Sequence, residues 1–294
     1  MDRPRRWGGL LLLSLAFAAP ARAAQPPFAP WNAGLTAEPA FQVQRIDSDS
    51  FVIRQSITTN FEAPFIYLLF GRTGALLLDS GAGGVAVRPT IEAIIADWCA
   101  KRNRAAIPLV VAHSHSHGDH HQGDSEFSGR ADTTVVGLDP AAVAAFFGVA
   151  EWPRTIGHHD LGGRILDIIP TPGHEPAHIM VFDSRTRLLL SGDSLYPGRL
   201  YVPIDQFPAY RASIDRAVAF TRGRHVRYVL GAHIEMRRTP REDYAREAPV
   251  HRDEHELELP YARLLELQVA LRSVRGEPMR DTHDDFIIVP RWPH

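Results

Sequence analysis

The chain has 294 residues, 45% of them hydrophobic and 22% charged, with a formal net charge of -2. That balance suits one large domain with a substantial core and provides no broad positive field, which disfavours nucleic acid and leaves a small-molecule substrate as the expected partner. Lys101 is the only lysine, so a fixed cation in a substrate pocket would have to be an arginine.

At the N-terminus, Arg3, Arg5 and Arg6 precede an apolar stretch, Leu10 to Ala19, that is too short to span a bilayer, and Ala21-Arg22-Ala23 makes a small-x-small cleavage site. Residues 1–23 therefore read as an export signal. The mature chain is expected to begin at Ala24, in the periplasm or outside the cell, with no stable membrane association after cleavage. A Pro-rich leader over residues 24–40 precedes a single domain over residues 41–294. Cys99 is the only cysteine, which excludes an internal disulfide, and its place beside Trp98 in an apolar helical pattern marks it as a packing thiol.

Strands are predicted at Phe41–Ile46, Phe51–Ile57 and Phe65–Phe70, the last leading through a glycine turn into Ala75–Asp79. A helix follows from about Pro89 to Lys101, with Ile91, Ile94, Ile95 and Trp98 on one face. Ile107–Ala112 is a continuous apolar run that ends at a histidine cluster, the pattern of a buried strand delivering its C-terminal end to a site. The same reading applies to Thr133–Leu138, Ile165–Ile169, Ile179–Phe182, Leu188–Leu190 and Val226–Leu230. Helices are predicted at Pro140–Phe147, Phe207–Phe220 and Tyr261–Val274. One internal echo stands out: Gly74–Gly81 resembles Arg187–Ser194, each an apolar strand ending in a small-residue turn with an aspartate. With the mixed strand and helix order, this suggests two similar halves, each a sheet covered by helices.

Four pieces carry metal-type ligands, each just after an apolar run. They are His115-Ser116-His117-Gly118-Asp119-His120, then Thr171-Pro172-Gly173-His174, Ser191-Gly192-Asp193 and Gly231-Ala232-His233. Imidazole with carboxylate suits zinc or iron rather than magnesium or calcium, and no thiolate takes part. A loop holding His115, His117 and His120 can present two imidazoles on one side and the third, with Asp119, on the other. His113 and His121 flank the cluster and set up a rival register. Only the chosen one has an aspartate two residues after the second histidine and a histidine directly after it. His178 is a competing donor four residues past His174, although its position at the start of an apolar strand favours a supporting place.

With these motifs in order, the chain resembles a metallo-β-lactamase-fold hydrolase of the glyoxalase II and lactonase-like branch, over roughly residues 41 to 235. The resemblance implies an α+β fold, a four-layered αβ/βα sandwich with the site at one edge. It implies two Zn2+ ions, with iron as the alternative metal. His115, His117 and His174 would hold the first ion, Asp119, His120 and His233 the second, and Asp193 would bridge them, with Asp79 as the structural aspartate. Such a site would hold a bridging hydroxide, its pKa lowered from about 16 towards 7, beside a substrate carbonyl in a lactone, thioester or β-lactam. Asp119 would orient it and handle its proton.

Substrate class is carried by fewer residues. Tyr196 lies three residues after Asp193, where some lactonases of the family carry a tyrosine that hydrogen-bonds the substrate carbonyl, so Tyr196 is expected to act in catalysis. The basic C-terminal elements expected of glyoxalase II itself are absent. Arg199 is the expected substitute for the lysine that anchors a carboxylate in one β-lactamase subclass. A true β-lactamase and an oxidoreductase resembling the mononuclear-iron persulfide dioxygenases share much of this ligand set and stand as the alternatives.

Overall fold

The computed structural model describes residues 28–292, so the export signal expected at residues 1–23 lies outside the described residues. The first half contains β1 (Phe41–Asp47), β2 (Ser50–Gln55), β3 (Phe65–Phe70), β4 (Ala75–Leu78), α1 (Arg88–Ala100), β5 (Leu109–Ala112), the short α2 (Gly118–His121) and β6 (Thr133–Val135). Then come α3 (Pro140–Phe147), β7 (Gly157–Asp160), β8 (Ile165–Pro170), β9 (Ile179–Asp183), β10 (Leu188–Gly192), β11 (Arg199–Pro203), α4 (Phe207–Thr221) and β12 (Tyr228–Gly231). The chain closes with β13 (Glu258–Leu259), α5 (Ala262–Ser273), β14 (Asp281–Thr282) and β15 (Ile287–Arg291).

Two six-stranded sheets, ordered β1-β2-β3-β4-β5-β6 and β13-β12-β10-β9-β8-β7, face each other, and β11, β15 and β14 form a smaller third sheet. The period of two along each strand sorts the apolar residues between layers. Phe65, Tyr67, Leu69, Leu76 and Leu78 pack inward against Leu166, Ile168, Val181, Leu190 and Leu230 of the other sheet. The alternate residues Ile66, Leu68, Phe70 and Leu77 face Ile91, Trp98 and Cys99 of α1. On the far side Ile169, Met180, Phe182, Leu189 and Val229 pack with Ile214, Ala217, Leu264 and Leu267 of α4 and α5. Helix, sheet, sheet and helix are the four layers expected from the sequence. Cys99 is buried in that packing, as its context suggested.

The two halves share one device. β4 runs parallel to β5, and β10 runs parallel to β12, each pair joined through a helix that crosses over. Their C-terminal ends open at the same edge of the sandwich, where the donor segments follow. At the opposite ends of the strands the buried Arg164 ties the sheets together, donating to the Phe70 carbonyl at 3.0 Å and to Asp183 at 2.6 Å. The leader is also anchored: Trp31 meets the Phe65 ring edge-on at 5.1 Å.

Several predicted boundaries shift. The strand expected at Val226–Leu230 spans Tyr228–Gly231, that at Thr133–Leu138 spans Thr133–Val135, and β7, β11, β13, β14 and β15 were not anticipated.

Candidate metal centre

The loop after β5 folds because Asp79 holds it from behind. Asp79 accepts from the Ser114 N–H at 2.7 Å and the Ser114 hydroxyl at 2.9 Å, and lies 3.0 Å from His120 Nδ1. A carboxylate on Nδ1 fixes that ring's tautomer and directs Nε2 outward as a donor atom. α2 then turns His117, Asp119 and His120 into one short arc, with His115 just before it.

The other three donors arrive singly. His174 follows Gly173, whose φ of 140° leaves no room for a side chain, since a Cβ there would lie 2.4 Å from the Tyr210 Cα. The His174 ring is held by the Tyr201 carbonyl, which accepts from Nδ1 at 2.6 Å. Asp193 follows Gly192, at φ 50°, where the register of β10 against β12 slips between Leu190 and Gly192. A bulge of this kind re-aims the next side chain. His233 leaves the end of β12 and donates from Nδ1 to the Glu62 carbonyl at 2.8 Å, a contact across the two halves.

All seven expected donors converge as two groups. In the first, His117 Nδ1 lies 3.0 Å from both His115 Nε2 and His174 Nε2, with Asp193 Oδ2 at 3.5 Å from His174 and 3.9 Å from His115. In the second, His120 Nε2 lies 3.3 Å from Asp119 Oδ2 and 3.6 Å from Asp193 Oδ1, and His233 Nε2 lies 3.4 Å and 3.3 Å from those same oxygens. Tetrahedral zinc with ligands at about 2.0–2.1 Å sets neighbouring donors about 3.3–3.4 Å apart, and both groups surround that value. Asp193 offers a different oxygen to each. Among the described residues, the buried His120 Nε2 and Asp193 Oδ1 have no hydrogen-bond partner. Orphans of this kind are costly unless a cation satisfies them, so the residues fit two metal ions.

The groups differ in charge. Burial, reinforced by neighbouring imidazoles, holds His115 well below the usual imidazole range, and burial lowers His174 to about 4 against the pull of Asp193. Both rings are therefore neutral and ready to coordinate. In the second group, burial opposes charge but is outweighed: Asp119, Asp79 and Asp193 push His120 up, and Asp193 and Asp119 do the same for His233. The carboxyls of Asp119 and Asp193 move the opposite way, well below their usual range, because the histidines beside them overcome the cost of burial. The second group therefore concentrates negative charge, which favours a cation among its donors.

The rival and supporting residues are placed elsewhere. His113 is tied to Asp124 at 2.8 Å, which removes it from the arc. His178 is buried and held neutral by that burial, so its Nε2 accepts from the Asp193 N–H at 3.2 Å and its Nδ1 donates to Thr171 at 2.8 Å. It positions the shared aspartate rather than competing with His174.

Two residues expected to meet the substrate are engaged with other partners. Tyr196 lines the cavity over the metal centre but is 2% exposed, and its single phenolic proton is given to the backbone carbonyl of Arg199, not directed at a reacting carbonyl. Arg199 is held by Glu235 at 2.7 Å, by Asp243 at 3.2 Å and by the Tyr244 carbonyl at 2.7 Å, so it does not reach into that cavity as an anchor. The cavity itself measures about 300 Å³ and is lined by Asp119, Asp193 and His233 together with Tyr201, Arg246 and Arg291. These last three were not singled out from the sequence. No spacing rule links them to the donor motifs, and Arg291 lies far from all of those motifs along the chain.

The sequence model of the metallo-beta-lactamase superfamily matches residues 59–248. The chain is 26% identical over 201 residues to the acyl-coenzyme A thioesterase MBLAC2 of Bos taurus, covering 58% of this chain and 72% of that protein. It is 30% identical over 135 residues to the hydroxyacylglutathione hydrolase of Rhizobium meliloti (strain 1021), covering 44% of this chain and 50% of that enzyme. Among solved structures, a metallo-beta-lactamase from Pontibacter korlensis superposes with a TM-score of 0.50 at 18% identity, covering 80% of this chain and 100% of that one. TMB-1 superposes with a TM-score of 0.51 at 14% identity, covering 80% and 98%. At these identities the structural likeness speaks for the fold alone.

Proposed function

This chain belongs to the metallo-beta-lactamase superfamily, and from that premise we propose that it is an exported dinuclear-zinc hydrolase that cleaves an acyl thioester or a related activated carbonyl. The observation that carries the proposal is the pair of donor groups sharing Asp193 through different oxygens at the floor of one cavity. When bound, two zinc ions would supply a water acidified towards neutral pH and a Lewis acid for the carbonyl oxygen. Asp119 lines the cavity and belongs to the second group, so it is the residue of this chain placed to take and return the proton. The Asp79–His120 and His174–Tyr201 contacts hold the donor rings in register. No serine or cysteine nucleophile is required.

A thioester is preferred to a lactone because the tyrosine that favoured a lactonase gives its proton to Arg199. Relatives named as an acyl-coenzyme A thioesterase and a hydroxyacylglutathione hydrolase support that preference. The test is a panel of thioesters, lactones, β-lactams and phosphodiesters on zinc-loaded protein, together with metal analysis of the protein as purified. Close to two zinc ions per chain and fastest turnover of thioesters are expected. One iron and no zinc would replace this reading with the persulfide dioxygenase alternative, and fastest turnover of β-lactams would replace it with a β-lactamase. Export predicts a mature N-terminus at Ala24. Full-length chain in the cytoplasm, found by intact mass, would reject it.

A further inference from the structure

The family match ends at residue 248, and beyond it one residue, Arg291, lines the cavity. β15 lies parallel to β11, with Leu200 opposite Ile288, Tyr201 opposite Val289 and Pro203 opposite Arg291. Leu200, Val202 and Ile288 are buried under α4. The strand alternation that buries them turns Tyr201, Pro203 and Arg291 to the other face, where all three line the cavity over the metal donors.

Among the described residues, the carboxylates around Arg291 are engaged elsewhere. Glu235 is paired with Arg199 at 2.7 Å, Glu62 lies 3.9 Å from Arg246, and Asp119 and Asp193 belong to the metal donors. Among the described residues Arg291 makes no salt bridge. Its guanidinium instead lies over the Tyr201 ring, 4.1 Å from the centroid. Stacking of this kind holds the guanidinium plane while leaving its N–H edge free, and that edge matches a carboxylate through two parallel hydrogen bonds.

We propose that Arg291, seated on Tyr201, determines specificity by binding a carboxylate on a part of the acyl substrate that does not react. The proposal rests on the hydrolase reading above. It makes the C-terminal strand, which lies outside the family match, the element that selects the substrate.

Two matched pairs of thioesters test this on zinc-loaded protein. In one pair the leaving thiol is mercaptoacetate or mercaptoacetamide, and in the other the acyl group is glutarate or glutaramate. The carboxylate member of at least one pair should be preferred, and Arg291→Gln should lower its kcat/KM by about fivefold, mainly through KM, between the weight of a screened surface pair and that of a formed charge-assisted bond. The neutral partner should be unaffected, and Arg291→Lys should recover part of the loss. Carboxylate and neutral substrates responding alike to Arg291→Gln in both pairs would overturn the proposal. Calorimetric binding of mercaptoacetate against mercaptoacetamide gives a readout that needs no turnover. If no thioester is cleaved, the hydrolase reading fails. A binding preference for mercaptoacetate over mercaptoacetamide, or for glutarate over glutaramate, that disappears in Arg291→Gln would still uphold the anchor, and equal binding within both pairs would overturn it.

Discussion

Asp79 and Asp193 each follow a buried strand that runs parallel to its neighbour, yet Asp79 stands behind a histidine while Asp193 stands among the metal donors. Asp79 comes directly after Leu78, and its N–H continues the ladder to the Ala112 carbonyl at 2.8 Å. Ser191 and Gly192 intervene between Leu190 and Asp193, and the register with β12 slips there. Ser191, which has no register partner on β12, and the bend at Gly192 re-aim the second aspartate to where the imidazoles meet. The same residue type at related strand ends is a brace in one half and a shared donor in the other, so the slip in register just before the strand end decides the role. The halves also differ in how donors are gathered. The first packs His115, His117, Asp119 and His120 into one arc, whereas the second brings His174, Asp193 and His233 from three separate strand ends.

The comparison is most exposed to substitution at Asp193. Asp193→Ala removes one donor from each group, so both metals should be lost together and kcat/KM should fall by about a thousandfold or more, beyond the tenfold to hundredfold typical of partners behind a ligand. Metal analysis alongside kinetics checks this. Retention of both ions would show that Asp193 is no more shared than Asp79.

A smaller loss is expected at Asp119. Asp119→Asn keeps the shape but removes the charge that handles the proton, and activity should fall on the order of a hundredfold. The first group, His115, His117 and His174, should keep its ion. Near-normal turnover at full metal occupancy would remove Asp119 from the chemistry.

Asp79→Asn separates brace from donor. Asn can still accept from Ser114 but no longer offers a carboxylate to His120 Nδ1, so affinity for the ion at the second group should weaken by about tenfold to a hundredfold. The first group should be little affected. Equal weakening of both ions, in a titration against a chelating indicator, would mean that Asp79 supports the whole loop and not one ring.

How much of this was legible in the sequence follows from the range of the interactions. The arc from His115 to His120 is local, and His174, Asp193 and His233 each end an apolar run, so all seven donors could be named from motif and strand pattern. The support behind them was partly visible, in Asp79 and in His178. β11 and β15 were hidden because Arg199–Pro203 carries an arginine and a proline, and its pairing with Ile287–Arg291 joins segments far apart in the chain. For the same reason Arg199 drew attention by its nearness to Asp193, while its actual partner Glu235 and the cavity-facing Arg291 lay beyond any short-range pattern.

Tyr196 gives the smallest expected change in rate and sharpens the contrast between walls and working groups. Its ring lies 5.4 Å from the His233 ring and its hydroxyl donates to the Arg199 carbonyl. Burial, with Glu235 and Asp193 nearby, pushes the phenol well above its usual range, so it remains a neutral donor. Tyr196→Phe removes that donor and leaves a buried carbonyl less satisfied, which should cost about 1–3 kcal/mol of stability. kcat should be essentially unchanged, because the lost bond runs to the backbone and is the same in ground and transition states. Thermal unfolding and steady-state kinetics on the best substrate separate the two effects. A roughly tenfold fall in kcat with unchanged stability, the pattern of a lost oxyanion donor beside a metal that already bears much of the charge, would return Tyr196 to the catalytic group. It would also mean that its hydroxyl leaves Arg199 when substrate arrives.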